Sequence, residues 1–224
     1  RLAAGVAHEV GNPVTGIACL AQNLSFAESR EELDQTAGDI LKQTQRISKI
    51  VESLMRFSHR GDLGSETHLT ACNIADCADE AANLLQLDPN AHSVSFDNRC
   101  DREIVALADP QKLLQIFINL YSNARDACGS DGVITTSVTR AHDDKLVISI
   151  EDNGTGIAEQ HLARIFEPFF TTKDPGAGTG LGLALVFTMM EDLNGGVQVE
   201  SPCSAALDHG TRFLLTLPEG RYNV

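Results

Sequence analysis

An all-α helical hairpin followed by an α+β sandwich is the fold class that this sequence predicts, and three observations predict it. Two runs within residues 1–58 place apolar side chains at alternating three- and four-residue spacing, the period of a helix face. The stretch His59-Arg60-Gly61-Asp62-Leu63-Gly64-Ser65 then breaks that period. Beyond it, helical segments interleave with short alternating strands without regular βαβ repetition, which favours helices on one face of a sheet. The expected organisation is therefore a hairpin over 1–60, a linker over 61–69 and a sandwich over 70–224.

The first helix has its seam at Leu2, Val6, Val10, Val14, Ile17, Leu20 and Leu24. His8 lies two residues from both Val6 and Val10, about 200° of rotation from each, so it faces outward. Glu9 is its neighbour and Asn12, one turn on, shares its side. Pro13 removes the donor for the Glu9 carbonyl and is expected to kink the helix, a defect of about 3 kcal/mol in an ordinary helix. A solitary histidine of this kind reads as a solvated surface residue, and only features farther along the chain give it chemistry. After a polar break at Ser25 to Glu32, a second helix repeats Leu33, Ala37, Ile40, Thr44, Ile47, Val51, Leu54 and Ser58 in heptad register. Leu41, Ile50 and Met55 widen the stripe to that of a bundle position. Two such helices leave one apolar side over, and dimerisation through residues 1–60 into a four-helix bundle would bury it.

In the sandwich, Ile74 to Leu87 reads as a helix, with short strands at His92 to Asp97 and Glu103 to Leu107. Asp109-Pro110 opens a helix with an acid at the N-cap and proline at the first position, and Gly129 follows its end. Val133 to Arg140 and Lys145 to Ile150 form a hairpin, Thr179 to Leu193 a helix closed by Asn194-Gly195, and Val197 to Ser201 and Arg212 to Leu217 the last strands.

Charge and composition exclude several function classes. The net charge is −14, and because residues 1–60 hold seven basic and seven acidic residues, the excess falls on 61–224. Nucleic acid is an unfavourable partner, since phosphate backbones are bound by clustered Lys and Arg and none is seen. The six cysteines form no CxxC pair and read as reduced thiols of a cytoplasmic protein, with a zinc site disfavoured. No apolar run is long enough to span a bilayer, so no membrane contact is expected within the chain. The chain opens inside a helical pattern, which suggests an upstream part, one that could carry a membrane anchor.

Three constellations carry chemistry. On the helix 110–128, Lys112, Gln115, Asn119, Asn123 and Asp126 line a polar stripe opposite Leu113, Ile116 and Leu120. Two amides one turn apart suit a hydrated divalent cation, although alone the stripe is an ordinary polar face. Along the strand, Leu146, Ile148 and Ile150 share one face and Asp152 continues that parity toward the apolar layer, where a carboxylate needs a donor such as an adenine amino group. Asn153-Gly154-Thr155-Gly156 follows, a backbone able to turn tightly beside a flat ligand. Finally Phe166, Phe169 and Phe170 precede a flexible segment through Thr171-Thr172-Lys173 to Gly178-Thr179-Gly180-Leu181-Gly182-Leu183, a lid running into a helix whose N-terminus suits phosphate. Neither GxxxxGK[ST] nor a GxGxxG after a strand is present, which disfavours both familiar nucleotide folds.

At these residues the chain resembles the transmitter core of bacterial sensor histidine kinases over nearly its whole length. His8-Glu9-Val10-Gly11-Asn12-Pro13 resembles the family's H box and residues 119–127 its N box. Asp152 to Gly156 resembles the first glycine box, residues 166–170 the F box and residues 178–183 the second glycine box. Each motif is modest alone, and five in order are highly specific. The resemblance implies a Bergerat-type ATP-binding sandwich, shared with gyrase and heat-shock chaperone ATPases, attached to a dimerisation and histidine-phosphotransfer hairpin.

It further implies that His8 is the phosphoacceptor, Glu9 its base or orienting acid, and Asn12 the group that orients water against the regulator's aspartyl phosphate. Asn119 and Asn123 resemble the Mg²⁺ and phosphate ligands, and Asp152 the adenine acceptor. Gly154 and Gly156 resemble the shapers of the adenine pocket, and Thr211 a threonine closing that side through water. Thr172 and Lys173 would lie on the lid, and Gly178, Gly180, Leu181 and Gly182 on the phosphate side. Many members carry a basic residue and an aromatic after the second N-box asparagine, where this chain has Asp126-Ala127 beside the nucleotide site. That departure resembles the nitrogen-regulation and hybrid-kinase subgroup and leaves Lys173 as the leading cation for the phosphates. The implied function is histidine autophosphorylation from Mg·ATP, then transfer to an aspartate of a response-regulator receiver domain, with phosphatase activity toward it. Two alternatives stay open: a Bergerat ATPase clamp without phosphohistidine, and a nucleotide-binding module that docks receivers.

Overall fold

The computed structural model describes residues 2–27, 29–58, 69–87, 94–173, 178–203 and 209–220, without the side chains of 2–9, 49, 52–54 and 56–58. The chain divides into two compact units, residues 1–64 with 167–181 and residues 65–166 with 182–224. The linker expected at 61–69 lies outside the described residues up to Leu69.

In the first unit, α1 (Leu2–Asn23) packs on α2 (Arg30–Ser58) through a 3-10 turn at Leu24–Phe26. The break between helices is shorter than the expected 25–32. Ser29 and Glu32 have the spacing of a capping box, and Ser29 Oγ accepts the Glu32 N–H at 3.2 Å, so α2 starts at once. Glu31 and Glu32 in its first turn also favour the positive helix end. The helix α1 runs unbroken through Pro13. The proline ring is buried and takes the seam place expected of Val14, which is 50% exposed. Val10, Pro13, Ile17, Leu20 and Leu24 thus make the observed seam, with heptad spacing.

The helix α2 carries two stripes, where the sequence register merged them into one. Thr36, Ile40, Gln43 and Ile47 are half-buried and Ile50 is buried, while Leu33, Leu41, Val51 and Met55 remain 40–61% exposed. A heptad count alone cannot separate two adjacent apolar stripes on one helix. Leu54 and Ser58 lie outside the described side chains.

The second unit is built on a five-stranded sheet in the order β2 (Val94–Asn98), β4 (Gly132–Arg140), β5 (Lys145–Asp152), β7 (Thr211–Pro218), β6 (Gly196–Glu200). The β2–β4 pair is parallel and the other pairs are antiparallel. A separate antiparallel pair joins β1 (Thr70–Asn73) to β3 (Val105–Ala108). The helices are α3 (Ile74–Gln86), α4 (Pro110–Ala127), α5 (Glu159–Leu162) and α6 (Gly182–Asp192). Neither β1 nor α5 was expected, because four residues are too few to show a period.

Alternation on the sheet decides which side is covered. Ile134, Leu146, Ile148, Ile150, Phe213, Leu215 and Leu217 are all buried, with Leu113, Ile116 and Leu120 of α4 and Val186 and Met190 of α6. Each such side chain contributes about 1.5–3 kcal/mol on burial. Tyr121 keeps its buried hydroxyl satisfied on Thr136 Oγ1 at 2.6 Å. Asp109 caps α4 as its sequence predicts, accepting the N–H groups of Gln111 at 2.9 Å and Lys112 at 3.2 Å. Lys112 then pairs with Asp192 at 3.0 Å, tying α4 to α6.

The helix expected over Thr179 to Leu193 begins only at Gly182. Gly180 has φ +64°, which cannot continue a right-handed helix, and its carbonyl accepts the Phe169 N–H at 2.8 Å.

Candidate functional site

Asp152 ends β5 on the helix-facing side, opposite Thr211 of β7 and Ile134 of β4. It is 5% exposed. Its Oδ1 accepts the backbone N–H of Gly154 at 2.9 Å and of Thr211 at 3.3 Å, and no described group donates to Oδ2. Burial raises the carboxyl above the ordinary carboxylate range and Glu151 adds to the rise, while the Gly154 and Thr211 N–H groups oppose it. An ionised carboxylate in this place calls for a further donor.

The glycine turn after Asp152 is pinned on three sides. Asn153 Oδ1 accepts the Val133 N–H at 2.8 Å, Thr155 N–H donates to the Ala127 carbonyl at 3.1 Å, and Gly210 N–H donates to the Gly154 carbonyl at 2.9 Å. A Cβ on Gly154 would stand 2.7 Å from the Ala127 carbonyl oxygen, so only glycine lets the turn lie this close to the end of α4. Gly156 has φ +77°. Thr211 is 3% exposed, its backbone spent on Asp152.

On α4 the polar stripe resolves into two uses. Lys112 and Gln115 serve the fold, Lys112 on Asp192 and Gln115 Nε2 donating to Asn119 Oδ1 at 3.2 Å. Among the described residues Asn119 Nδ2 is a buried donor without a partner, which suits a phosphate oxygen better than a cation. Asn123 Nδ2 lies 3.9 Å from where a Cβ on Gly182 would stand, so the amide sits at the N-terminus of α6. No acidic residue occupies the first turn of α6, leaving that positive end uncompensated. Asp126 is exposed.

Within the first unit, Phe169 has φ +68° and closes on Gly180, and Lys173 N–H donates to Thr171 Oγ1 at 3.1 Å. Thr172 is exposed, Lys173 and Gly178 half-buried. The Leu181 side chain is 0% exposed and its N–H points to Thr179 Oγ1 at 3.4 Å, so this residue offers a ligand little of its own. Asn12 is exposed on α1, as its phase predicts, while the side chains of His8 and Glu9 lie outside the described residues. Two contributors escaped the sequence reading, Ser201 and Gly210, both bonded to the glycine turn. The adjacency of Gly210 to Thr211 was the available signal.

Among the described residues no three His, Cys, Asp or Glu side chains gather as a metal cage, and the six cysteines are unbridged. No described helix is long and apolar enough to cross a membrane.

Residues 108–221 match the histidine kinase-, DNA gyrase B- and HSP90-like ATPase family, and residues 1–62 match the His Kinase A phospho-acceptor domain. The sensor histidine kinase ZraS of Salmonella typhi is 36% identical over 207 residues, covering 90% of this chain and 42% of the relative. The solved histidine kinase ThkA, in complex with the response regulator protein TrrA, superposes with a TM-score of 0.75 at 26% identity, over 97% of this chain and 61% of that one. Full-length ShkA in complex with AMPPNP superposes at 0.68 with 25% identity, over 99% of this chain and 46% of that one. The chain therefore belongs to the histidine kinase-, gyrase- and HSP90-like ATPase family and, with its phospho-acceptor domain, is a sensor histidine kinase transmitter core. It spans less than half the length of the ZraS relatives it matches.

Proposed function

We propose that this core works as a homodimeric autokinase, moving the γ-phosphoryl group of ATP to His8 and then to an aspartate of a response-regulator receiver domain. Asp152 carries the reading: a buried carboxylate at the glycine turn whose Oδ1 is held by two backbone donors, leaving Oδ2 to accept from a ligand. The adenine amino group supplies that donor. Asn119 Nδ2 donates to a phosphate oxygen, and the α6 N-terminus with Asn123 receives the triphosphate. Asn123 and the phosphates would hold Mg²⁺, whose chemistry is charge neutralisation during transfer. Amide ligands with few carboxylates fit a cation that keeps its waters and shares phosphate oxygens.

Phosphoryl transfer needs positioning and charge stabilisation more than covalent chemistry, which matches a site of backbone N–H groups and amides. Glu9 orients or deprotonates the His8 ring, and Asn12 orients water for removal of the regulator's phosphoryl group. The exposed stripe Leu33, Leu41, Val51 and Met55 is the face a second copy would cover. ThkA was solved with a response regulator and ShkA with a nucleotide analogue, which supports the partner and the ligand. The test is incubation with γ-labelled ATP. Label that is acid-labile and alkali-stable supports the reading, and release of inorganic phosphate without protein labelling overturns it in favour of an ATPase clamp.

A further inference from the structure

We infer that Ser201 is a positioning residue of the nucleotide site, its hydroxyl fastening the glycine turn to the segment that enters β7. The inference rests on the reading of Asp152 as the adenine acceptor. Ser201 Oγ is engaged on both sides, accepting the Ile157 N–H at 2.7 Å and donating to the Gly210 carbonyl at 2.9 Å. A hydroxyl combines donor and acceptor in one atom, which this bridge requires.

The two segments it joins are those that hold Asp152 Oδ1, with Gly154 N–H from the turn and Thr211 N–H from the strand. Regular pairing stops just short of this place, β6 with β7 at Glu200 opposite Arg212 and β5 with β7 at Asp152 opposite Thr211. Ser201 follows the last paired residue of β6 and continues the tie through its side chain. The fit is close, since a Cβ on Gly156 would stand 3.0 Å from Ser201 Oγ. Beside it run the Gly210 N–H to Gly154 carbonyl bond at 2.9 Å and the two N–H groups that meet on Asp152 Oδ1. Without the hydroxyl, the Ile157 N–H loses its acceptor and the Gly210 carbonyl is left with the longer bond from the Cys203 N–H at 3.3 Å, so the tie between the turn and the segment entering β7 weakens.

The test is a double-mutant cycle with ADP as probe, read by calorimetry, together with amide hydrogen exchange at Ile157. Ser201→Ala raises the ADP dissociation constant about tenfold, the order expected for loss of a hydrogen bond that leaves a half-buried group unpaired, and speeds exchange at Ile157. Ser201→Thr, which keeps the hydroxyl, restores both. On an Asp152→Asn background the Ser201→Ala effect largely disappears, because the clamp acts through that carboxylate. Unchanged ADP affinity in Ser201→Ala, with Asp152→Asn weakened, overturns the inference alone. So does an equal loss on both backgrounds, which marks a general structural role. Unchanged affinity in Asp152→Asn overturns the adenine reading, a separate outcome. If Ser201→Ala does not fold, Ser201→Cys, a weak donor and acceptor of similar size, carries the same comparison.

Discussion

Asn12 stands exposed on a helix whose seam is Val10, Pro13 and Ile17, whereas Asp152 is 5% exposed and wrapped by donors from two segments. On the proposed reading, the chemistry of the hairpin is carried by residues near Asn12 on a simple helical repeat. The sandwich encloses its chemistry, so binding there depends on groups brought together from distant parts of the chain. Substitutions in the hairpin should therefore remove a reaction and leave binding intact, and those in the sandwich should do the opposite.

The largest effect is expected at the acceptor. His8→Gln should abolish acid-labile labelling from γ-labelled ATP without altering ADP affinity by calorimetry, and residual labelling would move the acceptor elsewhere. Asp152→Asn keeps the shape and the Oδ1 acceptor but removes the charge, so nucleotide binding should weaken by about 1.5–3 kcal/mol. Its melting temperature should hold, since the charge it removes is one that burial disfavours.

The same carboxylate gives a pH signature. Its folded-state pKa is raised, so the native protein binds this proton more tightly than the unfolded chain does. Its contribution to stability is thus complete below the unfolded value and is lost as pH rises through the folded one. If Asp152 is the adenine acceptor, nucleotide binding should run the other way, because the ionised form is the stronger acceptor for an amino group. ADP affinity should fall on acidification at a pH above the ordinary carboxylate range, and Asp152→Asn should flatten that fall. A parallel profile in the variant would assign the titration to another group.

Asn123→Asp places a carboxylate at the α6 N-terminus, where the phosphates are proposed to bind, and it should lower kinase activity and shift the Mg²⁺ dependence with folding intact. An unaltered metal titration would make the α4 stripe a solvated face. The smallest and most selective change is expected in the hairpin. Asn12→Ala should slow regulator dephosphorylation and spare autophosphorylation, with Glu9→Ala doing the reverse. Equal losses in both variants would mean that the two residues serve only the helix around Pro13.

Legibility in the sequence followed the physics of each region. Strand parity placed Asp152 inward because side chains alternate strictly, and the α4 N-cap at Asp109 was readable because its signal is local. The α2 register gave the apolar residues but not their division within one chain, because one heptad count fits either of two neighbouring stripes. Gly180 was hidden inside an apparent helix, since a positive φ leaves no mark in a glycine-rich string. Ser201 was invisible because its partners, Ile157 and Gly210, lie 44 and 9 residues away. Long-range hydrogen bonds of a small hydroxyl have no sequence period to betray them.

The bonds around Gly210 also bear on how this chain tolerates change in length. Cys203 N–H donates to the Gly210 carbonyl at 3.3 Å, and Ser201 Oγ donates to the same oxygen. The neck of the 203–210 connection is thereby closed before β7 begins, so the register of Thr211 opposite Asp152 does not depend on how many residues lie beyond the neck. Closing a longer loop costs little, about 0.6 kcal/mol for each doubling. An epitope inserted between Cys203 and His209 should accordingly leave ADP affinity unchanged, and a loss of affinity would show that the neck does not hold the register.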